Sequence, residues 1–229
     1  MDKETKDYID NSLNEIIDSK FDKIIDRLLA VIVPASSACG SKASVSEPQQ
    51  DPFANWQDTD IYPVWKHYTK PHTLENLEGI RVPVIDGTEI LLYPKYKECA
   101  LLPEDKIKYW SAKGQYNPLY ADIDQHKATD ELFSLGSKAA EHARQYGKDI
   151  ALPTQLLAIA YYRGRINEIS KILGGDLLSD IDSRWWSLLR YDADNAWCVH
   201  GANGTFYAYY MYYSSLCLPV LSVQEILKS

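Results

Sequence analysis

The sequence predicts an α+β domain, and three observations lead to this prediction. Two extended apolar segments, residues 80–85 and 89–93, flank the pair Asp86-Gly87, which is typical of a β-hairpin turn. Two segments with helical periodicity follow them, and the last 45 residues return to a strand-like, Trp-rich pattern. Because strands and helices are segregated along the chain, an α+β fold is favoured over alternating βαβ units.

Two helices are predicted in the middle of the chain. The first covers residues 129–146, with Thr129 as its N-cap and Gly147 after its end. The second begins after Pro153, with Thr154 as its cap, and runs to the Gly174-Gly175 pair. Each helix has apolar residues three or four positions apart, so each presents one face to a core.

Strands are predicted again near the C-terminal end. Residues 197–200 form one strand, and Asn203-Gly204 predicts a two-residue type I′ hairpin turn. Residues 205–213 then form the returning strand, and residues 218–223 form a final strand.

The N-terminal part of the chain is predicted to be separate from this domain. Residues 1–33 have helical periodicity, and within residues 17–31 the apolar positions alternate by four and three, as in a coiled coil. Such a helix either docks on its own domain or forms a short oligomerising stalk, and we favour the stalk. Residues 34–60 are rich in Ser, Pro and Gln and are predicted to be a linker, which leaves residues 61–229 as the globular domain.

Cys39 follows a short apolar run and a Ser-Ser-Ala sequence, as in a lipoprotein signal. However, 27 mixed, acid-rich residues precede the run, whereas a signal peptide begins with a short basic segment. We therefore do not expect a lipid anchor at Cys39.

Composition excludes several classes of function. A net charge of −8 argues against a protein that tracks the nucleic-acid backbone. No apolar run reaches the roughly 18 residues of a transmembrane helix. The four cysteines form no C-x-x-C pair, and we find no dinucleotide, P-loop, nucleophile-elbow or zinc-protease motif. We therefore expect no enzyme, no metal site and no cofactor.

A set of short motifs in residues 120–224 resembles the C-type-lectin-like domains of bacterial and phage surface proteins, including the variable proteins of diversity-generating retroelements. The motifs are Leu152-Pro153-Thr154, a helix, Gly174-Gly175, Trp186-Ser187, Asn195-Ala196-Trp197, Asn203-Gly204 and Pro219-Val220-Leu221. Two positions depart from the family pattern, because Leu218 replaces an Arg and Leu188 replaces a Ser.

The resemblance implies a C-type-lectin-like fold with a solvent-facing binding surface in a variable region, residues 187–223. It makes Trp186, Trp197 and Pro219 the invariant framework. The variable ligand contacts that it implies are Leu188, Leu189, Arg190, Asp192, Cys198, His200, Ala202, Tyr207, Tyr209, Tyr210, Tyr212 and Tyr213.

The amino-acid usage of this region agrees with the resemblance. Retroelement mutagenesis of AAC and AAT codons does not produce Lys, Glu, Gln, Met or Trp. These five types occupy 40 of residues 1–186 but only two of residues 187–223, namely Trp197 and Met211. Buried strands also lack Lys and Glu, so this usage has a second explanation in burial.

Tyrosine is concentrated in the same region, within a chain that has 17 tyrosines and four phenylalanines. Alternation along a strand places Tyr207 and Tyr209 on one face and Tyr210 and Tyr212 on the other. A core accommodates one such row but not both, so we expect an exposed aromatic patch, which usually marks a binding site.

These observations favour a receptor-binding protein of a virion or cell surface, a homo-oligomer through residues 1–33, with a trimer as one candidate. Its partner would be a host-cell or surface receptor, protein or glycan. One alternative is a fibre or cell-envelope component with a fixed surface. Another is an enzyme of the formylglycine-generating type, which has the same fold and for which Cys198 and Cys217 are the only candidate cysteine pair; no surrounding motif supports it.

Overall fold

A computed structural model describes residues 51–66, 71–110, 123–179, 181 and 183–223. The predicted helix 1–33, the linker up to residue 50 and Cys39 lie outside the described residues. The described part combines helices with two largely antiparallel sheets, which agrees with the predicted α+β class. Its strands are β1 (Tyr62–Trp65), β2 (Leu77–Pro83), β3 (Glu89–Leu92), β4 (Lys97–Ala100), β5 (Asp149–Ile150), β6 (Arg184–Arg190), β7 (Asn195–His200), β8 (Phe206–Tyr210), β9 (Ser214–Cys217) and β10 (Pro219–Ser222). Its α-helices are α1 (Gln125–Ser134), α2 (Lys138–Gln145), α3 (Pro153–Tyr161) and α4 (Arg163–Leu173), and two short 3₁₀ helices cover Leu74–Asn76 and Glu104–Tyr109.

The strands form two sheets. The first has the order β1-β2-β3-β10-β5, and the second has the order β4-β9-β6-β7-β8. The second sheet is antiparallel except between β6 and β9. Its edge strands are β4 and β8, and β8 is paired with β7 from Asn195↔Tyr210 to Val199↔Phe206. The C-terminal part of the chain therefore supplies four of the five strands of this sheet.

Both faces of the second sheet are covered at its centre. Trp185 and Val199 belong to a first core cluster that includes the first sheet, α3 and α4. Trp186 and Cys198 belong to a second cluster that includes α1 and α2. Neighbouring residues of β6 point to opposite faces, so each of the two adjacent tryptophans fills a different cluster.

The predicted helices exist, but each is divided in two. The first breaks at Gly136, whose φ of +83° favours glycine, and residue Thr129 lies buried inside α1 instead of capping it. The N-cap is Asp124, whose carboxylate accepts a hydrogen bond from the Lys127 backbone N–H at 2.9 Å. The prediction of Thr129 as cap was wrong because the helix begins one turn earlier, at Gln125.

The second helical segment breaks at Tyr162, between α3 and α4. It begins at Pro153 rather than after it, because the Gln155 side chain accepts a hydrogen bond from the Leu152 backbone N–H at 2.8 Å. The predicted cap Thr154 is thus inside the helix. The end at Gly174 is confirmed, with φ +69° in the left-handed region.

Both predicted hairpins are present. The Asp86-Gly87 turn joins β2 to β3. The β7–β8 hairpin contains Asn203-Gly204, but its loop spans residues 201–204, because the His200 N–H donates to the Thr205 carbonyl at 2.9 Å. The prediction of a two-residue type I′ turn was therefore wrong. A Cβ at Gly201 would overlap the Trp185 ring, which explains glycine at the start of this loop.

The globular unit begins earlier than predicted. Residues 51–60, the part of the predicted linker that the structure describes, belong to the compact unit. Phe53 and Trp56 pack against the first core cluster, and the Trp56 indole N–H donates to the Ile61 carbonyl at 2.8 Å. The boundary at residue 61 is therefore corrected toward residue 50.

One buried histidine makes the stability of the domain depend on pH. His142 is almost fully buried in α2, and its Nε2 lies 2.9 Å from the Lys95 carbonyl oxygen. Desolvation, aided by the positive charge of Lys97, lowers the pKa of His142 below its ordinary value of 6.5. As pH falls below 6.5, the unfolded chain therefore takes up a proton that the folded chain does not, and the free energy of unfolding decreases.

We expect the His142→Gln variant to lose the part of the pH dependence of its free energy of unfolding that comes from His142. Urea unfolding of the wild-type chain and the variant at pH 7, 6 and 5 measures it. The wild-type chain should lose more stability over this interval than the variant. Parallel losses in the two proteins would contradict the assignment to His142.

Candidate ligand-binding surface

Five tyrosines lie together on β8 and the turn that follows it. We call Tyr207, Tyr209, Tyr210, Tyr212 and Tyr213 the tyrosine surface. Tyr207, Tyr210 and Tyr213 are 42%, 45% and 45% exposed, while Tyr209 and Tyr212 are half-buried. The expected exposed aromatic patch is confirmed, and it includes residues of both rows because β8 is an edge strand and the chain turns after Tyr210.

Four of the five rings of the tyrosine surface contact one another, and the fifth, Tyr207, lies beside His200. Tyr213 lies with its ring centroid 5.5 Å from Tyr209, 5.5 Å from Tyr210 and 4.7 Å from Tyr212. Tyr210 and Tyr212 are also 5.5 Å apart. Rings that restrain one another lose little further freedom when a ligand covers them, so the surface is preorganised.

The turn beneath these rings is fixed by Met211. Its side chain is fully buried, and its carbonyl accepts hydrogen bonds from the Leu101 and Leu102 N–H groups at 2.9 and 3.1 Å. The Met211 N–H donates to the Asp194 carbonyl at 3.1 Å. These bonds attach the turn to two other segments of the chain, so that the flanking tyrosines point outward from an anchored backbone.

Trp186 supports the tyrosine surface from below. Its ring lies 5.8 Å from Tyr209, and its indole N–H donates to the Cys99 carbonyl at 2.7 Å. The other two predicted framework residues are also packed. Trp197 lies between Tyr191 and Phe206, at 4.7 and 6.0 Å, and Pro219 is buried at the start of β10.

Arg184 borders the tyrosine surface and was not among the predicted contacts. Its guanidinium lies 4.8 Å from the centroid of the Tyr209 ring, and its Nη1 donates to the Tyr209 hydroxyl at 3.1 Å. Arg184 pairs with His200, and the next residue on the same face of β6 is Trp186. Because side chains alternate along a strand, the residue two positions before Trp186 lies on the same face, and this rule would have identified Arg184.

Charge is distributed unevenly along the surface. Arg184 places a cation beside Tyr209. At Tyr212, desolvation, a hydrogen bond with Tyr213 and the negative charge of Glu104 raise the pKa of the phenol. Tyr212 is therefore a neutral phenol at pH 7, which presents both a donor and an acceptor.

Three of the predicted variable contacts are buried. Leu188, Leu189 and Cys198 are 0%, 1% and 0% exposed, so they have no surface with which to touch a ligand. They lie on β6 and β7, which are interior strands of the second sheet with both faces covered. These three residues are therefore removed from the predicted contact set.

Two further predicted contacts hold the β6–β7 turn. The Arg190 guanidinium donates to the carbonyls of Trp110, Asp192 and Ala193 at 2.6, 2.5 and 2.6 Å. The Asp192 carboxylate accepts from the backbone N–H groups of Asp194 and Asn195, each at 2.9 Å. Their side chains therefore determine the shape of the turn, although Asp192 is exposed.

His200 and Ala202 lie at the edge of the tyrosine surface. The half-buried His200 ring lies 6.0 Å from Tyr207, and Ala202 is exposed in the hairpin loop. Of the twelve predicted contacts, the structure thus brings together the five tyrosines and His200, with Ala202 nearby on the loop.

The described cysteines are free, buried thiols. Burial raises the pKa of Cys99 to about 11 and that of Cys198 to about 12, and it raises that of Cys217 well above its ordinary value. These thiols are protonated at neutral pH, so they are poor nucleophiles and poor metal ligands. Within the described residues, no group of three or more His, Cys, Asp or Glu side chains is arranged to hold a metal ion.

Comparisons with known proteins add no family assignment. A scan against protein-family models finds no match, and a search of curated proteins finds none either. In the described part of the chain, no helix has both the length and the apolar character needed to cross a membrane. The class defined by the structure is that of an α+β protein with an exposed, preorganised aromatic surface.

Proposed function

We propose that this chain is a ligand-binding protein and that the tyrosine surface is its contact site. The observation that carries the proposal is the cluster of five neighbouring tyrosines on an edge strand and its anchored turn, four of them in ring contact and three of them over 40% exposed. Tyrosine is enriched in the residues that dominate binding energy, because its rigid ring covers a large area at a small entropy cost. A soluble protein that exposes such a cluster usually uses it for binding.

The proposed fold is C-type-lectin-like, with residues 187–223 as a region open to diversification. The division of this region into a buried framework and exposed contacts supports the idea. Trp186 lies directly under the surface, whereas Tyr207, Tyr210 and Tyr213 can change without opening the core. The protein would act as a receptor-binding component of a phage tail or a bacterial surface, and it would have no enzymatic activity.

Residues 1–33 are proposed to join several copies. A single surface of this size binds modestly, whereas linked copies raise the apparent affinity by avidity if the linker spans the receptor sites. The coiled-coil spacing within residues 17–31 supports this part of the proposal.

Binding of the labelled full chain to intact bacterial cells tests the function. Flow cytometry on a panel of Gram-negative and Gram-positive cells would compare the wild-type chain with a Tyr207→Ser, Tyr210→Ser, Tyr213→Ser variant. We expect binding to at least one cell type and an apparent affinity at least about tenfold lower in the variant. Replacing contact tyrosines commonly costs more than about 1.4 kcal/mol of binding free energy, which corresponds to a tenfold change in affinity.

A matched control replaces two exposed tyrosines elsewhere, Tyr109 and Tyr161, which are 58% and 82% exposed. This Tyr109→Ser, Tyr161→Ser variant should bind like the wild-type chain. Absence of binding to all cells, or equal losses in both variants, would refute the proposed function.

A further inference from the structure

The charge of Arg184 is not compensated within the described residues. The side-chain hydrogen bond that the structure gives it goes to the Tyr209 hydroxyl, and no described carboxylate lies within ion-pair distance. The other arginines in the described part have carboxylate or carbonyl partners: Arg81, Arg144, Arg163, Arg165 and Arg190. Although the chain has a net charge of −8, Arg184 is exposed and has no carboxylate partner among the described residues, so its charge is open to a ligand.

The position of Arg184 suits the capture of an anion. The Tyr209 ring and hydroxyl hold the guanidinium in place, which lowers the entropy cost of a further contact. Its remaining N–H groups form a fork that matches a carboxylate. A ligand that placed an acidic group here would lay its neighbouring atoms on the tyrosine rings.

The outer edge of β8 suits a polypeptide. His200 and Thr205 form a hydrogen-bonded pair, so alternation along the hairpin directs the backbone groups of Tyr207 and Tyr209 toward β7. The backbone groups of Phe206 and Ala208 then point away from the sheet. No described strand pairs with this edge, and Ala208 is exposed.

We propose that the ligand of the tyrosine surface is an acidic protein segment that pairs with the outer edge of β8 and places a carboxylate on Arg184. Strand addition supplies main-chain hydrogen bonds, and the side chains of the added segment supply specificity. Arg184 selects an acidic side chain at one position, while the tyrosine rings cover its neighbours. This inference rests on the proposed function and specifies the chemistry of the partner.

Panning a phage-displayed library of random dodecapeptides on the full chain tests the proposal. We expect the recovered peptides to be enriched in Asp and Glu. They should bind the Arg184→Ala variant at least about tenfold more weakly, since a charge-assisted hydrogen bond is lost. Arg184→Lys should restore part of the binding, because it keeps the charge but not the fork.

Two further variants make the test specific. Arg165→Ala removes an exposed arginine that is paired with Asp58 and Glu168, and it should leave peptide binding unchanged. Ala208→Pro removes an outward N–H from an edge strand, where proline is tolerated, and should weaken peptide binding with the fold intact by circular dichroism.

Neutral or basic peptides, or peptides that bind the Arg184→Ala and wild-type chains equally, would overturn the proposal. Binding to sialylated or sulfated glycans on an array without recovery of any peptide would also overturn it, in favour of an acidic glycan. If the tyrosine triple variant loses cell binding but Arg184→Ala does not, the proposed function stands and this inference fails.

Discussion

Replacing Trp186 with alanine should lower the free energy of unfolding by about 3–5 kcal/mol, the usual cost of deleting a fully buried Trp. Trp186 has no exposed surface, fills the second core cluster and donates its indole N–H to the Cys99 carbonyl. For a domain of this size, each kcal/mol corresponds to roughly 2–4 °C in Tm. Thermal and urea unfolding followed by circular dichroism would measure the loss.

The Trp186→Phe variant separates packing from the hydrogen bond. It keeps an aromatic ring under Tyr209 but leaves the Cys99 carbonyl without its donor, so it should be less destabilising than alanine. A loss below about 1 kcal/mol for Trp186→Ala would show that this residue is not the structural support that its burial indicates.

The second large effect is a difference in the free energy of unfolding between substitutions at buried and at exposed positions of residues 187–223. Leu188→Asn should cost about 3–5 kcal/mol, because it removes a buried apolar side chain and buries an amide without a partner. Tyr210→Asn should cost clearly less, about 1 kcal/mol, because the Tyr210 ring is 45% exposed and loses mainly its contacts with Tyr212 and Tyr213.

Urea unfolding of these two variants, with m-values compared to the wild-type chain, measures the contrast. The same substitution at both positions keeps the new side chain constant. Similar losses at Leu188 and Tyr210 would contradict the division of this region into framework and contact surface.

The sequence predicted local features well where one residue type determines them. The turn at Asp86-Gly87, the helix end at Gly174 and the hairpin around Asn203-Gly204 depend on backbone conformations that glycine favours, and all three are present. Helix starts were predicted less well. Asp124 is a preferred N-cap residue and caps its helix through a local hydrogen bond, so this start could have been predicted from the sequence. The break at Tyr162 has no such local signal, and periodicity alone does not report it.

The candidate site was predicted only in part, because the sequence pattern does not show which side chains are covered by other parts of the fold. Alternation assigns residues to two faces of a strand but does not tell which face is covered. For β6, both faces are covered, and its apolar residues, interrupted only by Ser187 between Trp186 and Leu188, were a signal of this burial. The exposure of an aromatic patch was predicted correctly because two aromatic rows exceed what one core can bury. Arg184 was missed because it precedes the motif that drew attention to Trp186.

The central claim is a binding surface that is diversified on a fixed framework, and the DNA flanking the gene tests it most directly. Sequencing should find a reverse transcriptase and a near-repeat of the segment that encodes residues 187–223, with mismatches at adenines. Those mismatches should fall in codons for exposed residues such as Tyr207, Tyr210 and Tyr213, and they should spare codons for buried residues such as Leu188 and Cys198. Absence of a repeat, or mismatches spread equally over buried codons, would contradict the account and favour a fixed surface.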